Sequence, residues 1–168
     1  MKRFLLLLLV IFFSIEADAS AQELYATNSS NVGVLYSVND VNGEAEDLGN
    51  LGFRVFDLTA DRRPSFEGLW AVTWQNGGLQ LVELDPRNRS VVFSVELSAT
   101  ESIATLAIHP TTGAMFGTSA TSGETSLFQI DRVSGSTTVV GDINTPLTSL
   151  AFDRDGRLFR SLGRRNAV

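Results

Sequence analysis

The sequence predicts an all-β fold built of β-propeller blades, each a sheet of four antiparallel strands. Three observations carry this. A unit of about 46 residues recurs, each unit holds short β-branched and aromatic runs closed by turn residues, and no sustained 3.6-residue apolar period follows the N-terminal segment. The repeat describes about three to three and a half blades, a partial propeller.

The N-terminal segment comes first because it belongs to export and not to the fold. Lys2 and Arg3 precede an unbroken apolar run from Phe4 to Phe13. Small and polar residues follow, with A-x-A sites at 17–19 and 19–21. This is the order of a secretory signal peptide, and the apolar run is far shorter than the ~20 residues of a spanning helix. Residues 1–21 are therefore expected to be the signal peptide and 22–168 the propeller domain, with no stable membrane span after cleavage. The protein is expected to be periplasmic or extracellular.

In the domain, VLYSVNDVNGEAEDLG (34–49), QLVELDPRNRSVVFSV (80–95) and SLFQIDRVSGSTTVVG (126–141) align without a gap. Leu35, Leu81 and Leu127 share one column; Asn39, Asp85 and Asp131 share another. A preceding block aligns Val55, Ile103 and Leu147, and then Leu58, Leu106 and Leu150. The pairs Leu24-Tyr25, Leu69-Trp70, Met115-Phe116 and Leu158-Phe159 head the second strands. Expected strands are 53–60, 69–74, 79–84 and 90–96 in one sheet, and 102–108, 114–118, 126–131 and 137–142 in the next. Asn42-Gly43 and Ser134-Gly135 suit turns that need positive φ. In the middle unit Asn88-Arg89 stands there, with Asn88 as the residue that tolerates the left-handed region.

These blocks resemble the exported bacterial YVTN-type and WD-like propeller repeats, in which an inner strand, a D-P-x-T-G turn, an L-Y strand, an L-Y-x-I-D strand and a T-x-V-G strand succeed one another. The resemblance covers nearly all of residues 23–168 and implies architecture, not a particular activity. The middle unit departs from it: Arg62-Arg63-Pro64 lengthens one hairpin, and the third turn lacks Gly.

Strand counting opens the domain on the second strand of blade one and ends it after the second strand of blade four. Closed propellers have roughly four to eight blades, so the repeats read as part of a longer propeller or as a truncated reading frame. Leu35, Leu150 and Phe152 are expected to meet water on the partial blades. Self-association through open blade edges follows from that, and residues 22–168 alone are not expected to form a stable monomer.

Composition narrows the chemistry. There is no Cys, Lys2 is the sole Lys, His109 is the sole His, and the net charge is −6. Disulfides and a catalytic Lys in the domain are excluded, and the acidic balance argues against nucleic acid. His109 shares its column with Asp61 and Asp153 and is expected to stabilise a turn. Asp153-Arg154-Asp155-Gly156 begins like a calcium loop but has no closing Glu. Asn39, Asp85 and Asp131 are expected to cap turns. Trp70 and Trp74, an even number apart on one strand, are expected to pack between blades.

No catalytic, cofactor-binding or metal-ligating set emerges, and no cofactor is expected. The feature that breaks the repeat is the hairpin at Asp61, Arg62 and Arg63, which is the candidate partner-binding loop for a protein or small ligand. The expected function is a non-catalytic binding or interaction module. The alternative is a fragment of a lactonase-like or quinoprotein-like propeller enzyme with a metal or cofactor in the central channel. Such an enzyme would draw on Asp57 and Thr105 of the inner strands, with Glu101 and Asn144 at their entrances.

Overall fold

The structure, a computed structural model, describes residues 24–28, 31–63, 68–99, 102–119, 125–143, 145 and 147–162. The signal segment, Glu101 and Asn144 lie outside the described residues. So do residues 64–67 of the lengthened hairpin. Every regular element among the described residues is a β-strand.

Blade one holds β1 (Leu24–Thr27), β2 (Val34–Val38) and β3 (Ala45–Asn50). Blade two holds β4 (Val55–Asp61), β5 (Gly68–Gln75), β6 (Gly78–Asp85) and β7 (Ser90–Glu96). Blade three follows with β8 (Ile103–Ile108), β9 (Met115–Ser119), β10 (Ser126–Ile130) and β11 (Thr137–Asp142). Blade four shows β12 (Leu147–Phe152) and β13 (Leu158–Leu162). Each is a separate antiparallel sheet whose strands pair in chain order. No strand of one blade extends the sheet of another, as the 46-residue columns require.

The irregularities of the inner strands repeat as faithfully as the strands. Each inner strand carries a bulge at one column, between Val55 and Asp57, between Ile103 and Thr105, and between Leu147 and Ser149. A bulge sharpens local twist, so each inner strand bends at the same height. The outer strands are bulged opposite Leu35/Tyr36, Glu83/Leu84 and Leu127/Phe128.

Two apolar layers join the blades. Leu35, Leu51, Val55, Leu69, Ala71, Val82 and Leu84 form the layer between blades one and two. Trp70, Val72, Leu79, Leu81, Leu97, Ile103, Leu106, Ile108, Met115 and Ile130 form the layer between two and three. Strand alternation explains both. On β5, Leu69 and Ala71 face one neighbour while Trp70 and Val72 face the other, so this strand is buried from Gly68 to Thr73.

Three expectations require correction. Leu35 is fully buried and Leu150 is 7% exposed, because both point toward the adjacent blade and not off the open faces. Phe152 is half-buried, with its ring against Phe116 and His109. Among the described residues, the large apolar side chains that do meet water on blade four are Leu158, at 38%, and Phe159, at 57%. In the middle unit the left-handed residue is Arg89 (φ 59), in the column of Gly43 and Gly135, and not Asn88. Asn88 instead accepts the N–H of Ser90.

Trp74 is the third. It shares a face with Trp70, yet it is 55% exposed whereas Trp70 is 7% exposed. Parity sets the face but not the cover: Trp74 stands near the end of β5, next to the tight turn at Asn76-Gly77, and its ring meets water although Leu79, paired with it on β6, is buried. Trp70→Ala should therefore lower stability by about 3–5 kcal/mol, the range for a buried aromatic, and Trp74→Ala by under ~1 kcal/mol. Urea denaturation of the two variants checks this. Equal losses would show that Trp74 is packed after all.

Candidate functional site

In a four-strand meander the first and third turns lie at one end of the blade. That end gathers the hairpin after Asp61, the turns at His109 and Asp153, and the turns at Asn39, Asp85 and Asp131. These turns are braced by their first residue. Asn39 Oδ1 accepts the N–H groups of Val41 and Asn42, Asp85 Oδ1 accepts that of Arg87, and Asp131 Oδ1 accepts those of Val133 and Ser134. The Ser134 and Val133 donors hold the Asp131 carboxyl below its ordinary range.

His109 behaves as a turn residue. Its Nδ1 accepts from Thr111 and Thr112 N–H at 3.3 Å each, and its ring lies 5.1 Å from that of Phe152. Asp153 Oδ1 accepts the N–H groups of Asp155 and Arg157. Among the described residues no three His, Cys, Asp or Glu side chains converge to hold a metal.

Asp61 differs from its column mates. Its carboxylate is buried and takes three side-chain donors. Arg63 Nε reaches Oδ1 at 2.9 Å, Arg63 Nη2 reaches Oδ2 at 2.7 Å, and Arg132 Nη1 reaches Oδ2 at 2.7 Å. Burial pushes the carboxyl up, but the hydrogen bonds and charges of Arg63 and Arg132 hold it below the usual range.

The cluster joins blades two and three. Arg132, on the outer turn of blade three, places its guanidinium 5.2 Å from the Trp70 ring centroid, and Phe93 meets that ring edge-on at 6.2 Å. Arg63 Nη1 also donates to Thr112 O of blade three at 3.2 Å. Arg62, between the two tethered residues, is exposed.

The structure thus brings Asp61 and Arg63 together and adds Arg132 and Trp70, which sequence reasoning did not connect to the hairpin. The available signal was Arg132 following Asp131, with Pro86 in its column in the unit before.

Asp57 and Thr105 occupy one column of adjacent inner strands. Asp57 Oδ2 accepts Leu106 N–H across the blade boundary at 2.6 Å, and Oδ1 accepts Leu58 N–H at 2.9 Å. Burial raises the Asp57 carboxyl above its ordinary value, and the two backbone donors offset only part of that. The Thr105 hydroxyl pairs with that of Thr118 at 2.7 Å in a buried contact.

No family model matches the chain, and none of the curated proteins does. Among solved structures, TolB from Acinetobacter baumannii aligns with 86% of this chain at a TM-score of 0.57 and 13% identity. A chain of a mitotic checkpoint complex aligns with 83% of it at 0.51 and 16%. The fold is that of β-propeller blades. At such identities the likeness shows this fold alone. The propeller described here spans 36% and 44% of the lengths of those two chains. Among the described residues no helix is long and apolar enough to cross a membrane.

Proposed function

We propose that this protein is an exported, YVTN-like propeller of residues 22–168 that acts as a non-catalytic binding module, with the hairpin at Asp61, Arg62 and Arg63 as its partner-binding loop. The observation that carries the reading is the anchoring of a hairpin that breaks the repeat. Asp61 and Arg63 are fixed to blade three through Arg132 and Thr112, so Arg62 is held between two tethered neighbours. A recognition loop held this way loses little freedom on binding, which favours affinity. The partner is a protein or small ligand. The acidic balance of the chain directs it away from nucleic acid.

The enzyme alternative would use Asp57 and Thr105 in the central channel. Both Asp57 oxygens accept backbone N–H bonds and the Thr105 hydroxyl pairs with Thr118, which supports a role for these groups in joining strands and blades. Export is supported by Lys2-Arg3, the Phe4–Phe13 run and the A-x-A sites.

A photo-crosslinking residue placed at position 62 in the native host tests the binding reading. A discrete adduct should form from position 62 and not from Asp142 on the outer strand. Equal labelling from both positions, or none from position 62, would sink the reading. Mass spectrometry of the same material should give an N-terminus at Gln22, the residue after the second A-x-A site.

A further inference from the structure

The pair Asn-Gly stands twice in the sequence, at 42–43 and at 76–77. Asparagine is a chemically labile residue, and a following glycine has no Cβ to shield its backbone nitrogen from the neighbouring side-chain amide. Both pairs close hairpins, between β2 and β3 and between β5 and β6, and all four residues are exposed. Exposure therefore does not tell them apart. Their hydrogen bonds do.

At the first pair the fold holds both reacting groups. Gly43 N–H donates to Asn39 O at 2.9 Å, so that nitrogen is engaged. The Asn42 side chain is held at both of its polar atoms: Nδ2 donates to Glu44 Oε2 at 2.9 Å, and Oδ1 accepts Glu44 N–H at 3.0 Å. At the second pair, among the described residues, no hydrogen bond engages the Asn76 side chain or the Gly77 N–H. Asn76 has φ 53 and Gly77 φ 83, the left-handed pair of a tight hairpin turn. The preceding Gln75 keeps a buried side-chain nitrogen without a hydrogen-bond partner. Water would satisfy that nitrogen if the turn opened, which lowers the cost of opening.

We propose that Asn76-Gly77 is a site of spontaneous covalent modification, at which Asn76 becomes aspartate and isoaspartate while Asn42 is spared. The Gly77 backbone nitrogen gives its proton to water and attacks Asn76 Cγ. An N–Cγ bond forms, the Cγ–Nδ2 bond breaks, and the side-chain nitrogen takes up a proton and leaves as ammonia. Water then opens the cyclic imide at either carbonyl, with no oxidant or reductant involved. Opening at Cγ gives aspartate, which keeps the turn because Asp-Gly suits the same hairpin. Opening at the backbone carbonyl gives isoaspartate, whose chain runs through Cβ and Cγ. That extra backbone carbon breaks the register pairing Gln75 with Gly78 and Trp74 with Leu79. The site is separate from the Asp61–Arg63 hairpin and stands whether or not that hairpin binds a partner.

The test ages the full chain in mildly alkaline buffer and digests it for peptide mass spectrometry, which reads the exchange of NH2 for OH at each asparagine. Labelling by an isoaspartyl carboxyl methyltransferase identifies the isoaspartate. Asn76 should convert about ten-fold or more faster than Asn42, the scale set by the bonds that Asn42 and Gly43 must first release. Glu44→Ala should speed Asn42 by about three-fold and leave Asn76 unchanged. In concentrated urea the two asparagines should convert at similar rates, because the fold no longer distinguishes them. Equal rates in the native chain would overturn the proposal, as would faster conversion of Asn42. A preference for Asn76 that persists in urea would do the same, since it would belong to the local sequence and not to the turn.

Discussion

Asp61→Ala should lower stability by about 2–3 kcal/mol, although the residue lies beside a turn at the edge of a blade. Removing one member of a buried ion pair costs about 3–5 kcal/mol, because the partner charge is left without compensation. Arg63 and Arg132 retain side-chain exposures of 17% and 20%, so water recovers part of that loss. The same substitution frees Arg132 from one of the two contacts that keep it over Trp70.

The pH dependence separates this carboxylate from Asp57. Asp61 is held below its ordinary value, so its stabilisation is complete above about pH 4 and is lost as pH falls through its folded-state value. Asp57 is raised, so its contribution has the opposite sign. Stability gains as pH falls from its folded-state value toward ~3.9. Asp61→Asn should remove the acid loss and Asp57→Asn the mild-acid gain. Urea denaturation of both variants across pH 3–7 checks the signs. Parallel curves for the two variants would contradict the assignment.

The second large effect concerns one column of the repeat. Gly43 and Gly135 have nearly the same backbone, φ 74 and φ 72, and both close the turn before an outer strand. A Cβ at Gly43 would meet nothing within 4 Å, whereas one at Gly135 would overlap the carbonyl oxygen of Glu96 in blade two. Gly43→Ala should therefore cost only the left-handed penalty of about 1–2 kcal/mol. Gly135→Ala adds displacement of backbone and should exceed ~3 kcal/mol. It also strains the bonds from Ser98 N–H to Gly135 O and from Thr137 N–H to Ser98 Oγ. Chemical denaturation of the pair checks this, and equal losses would show that the blade contact yields freely.

That contrast also shows what the sequence could tell. Matching columns reported what each blade does by itself: its strands, their order, and the Asn39, Asp85 and Asp131 caps. Contacts between blades are not written in a column. Gly43 and Gly135 align, yet only one touches a neighbour. Trp70 and Trp74 share parity, yet only Trp70 is covered, because parity reports the face and not the packing against it. Leu35 and Leu150 are buried because a blade count does not tell which side of a strand faces the neighbouring blade, and both lie on that side. At the hairpin the residue types stood out as an insertion, whereas the Asp61–Arg132 pair spans blades and leaves no local pattern. Arg89 takes the left-handed conformation because the register of the turn places it there, ahead of intrinsic preference, and its guanidinium donates to Leu48 O of blade one.

Strand β5 lies between two apolar layers, with Leu69 and Ala71 committed to one side and Trp70 and Val72 to the other. Its amides can reach solvent only if both interfaces part, while those of β13 need far less to open. Local opening should therefore be graded across the molecule, steepest at its middle. In a stack where each unit touches only its neighbours, such a gradient makes the second blade the last part to lose its structure and the natural seed from which the others rebuild.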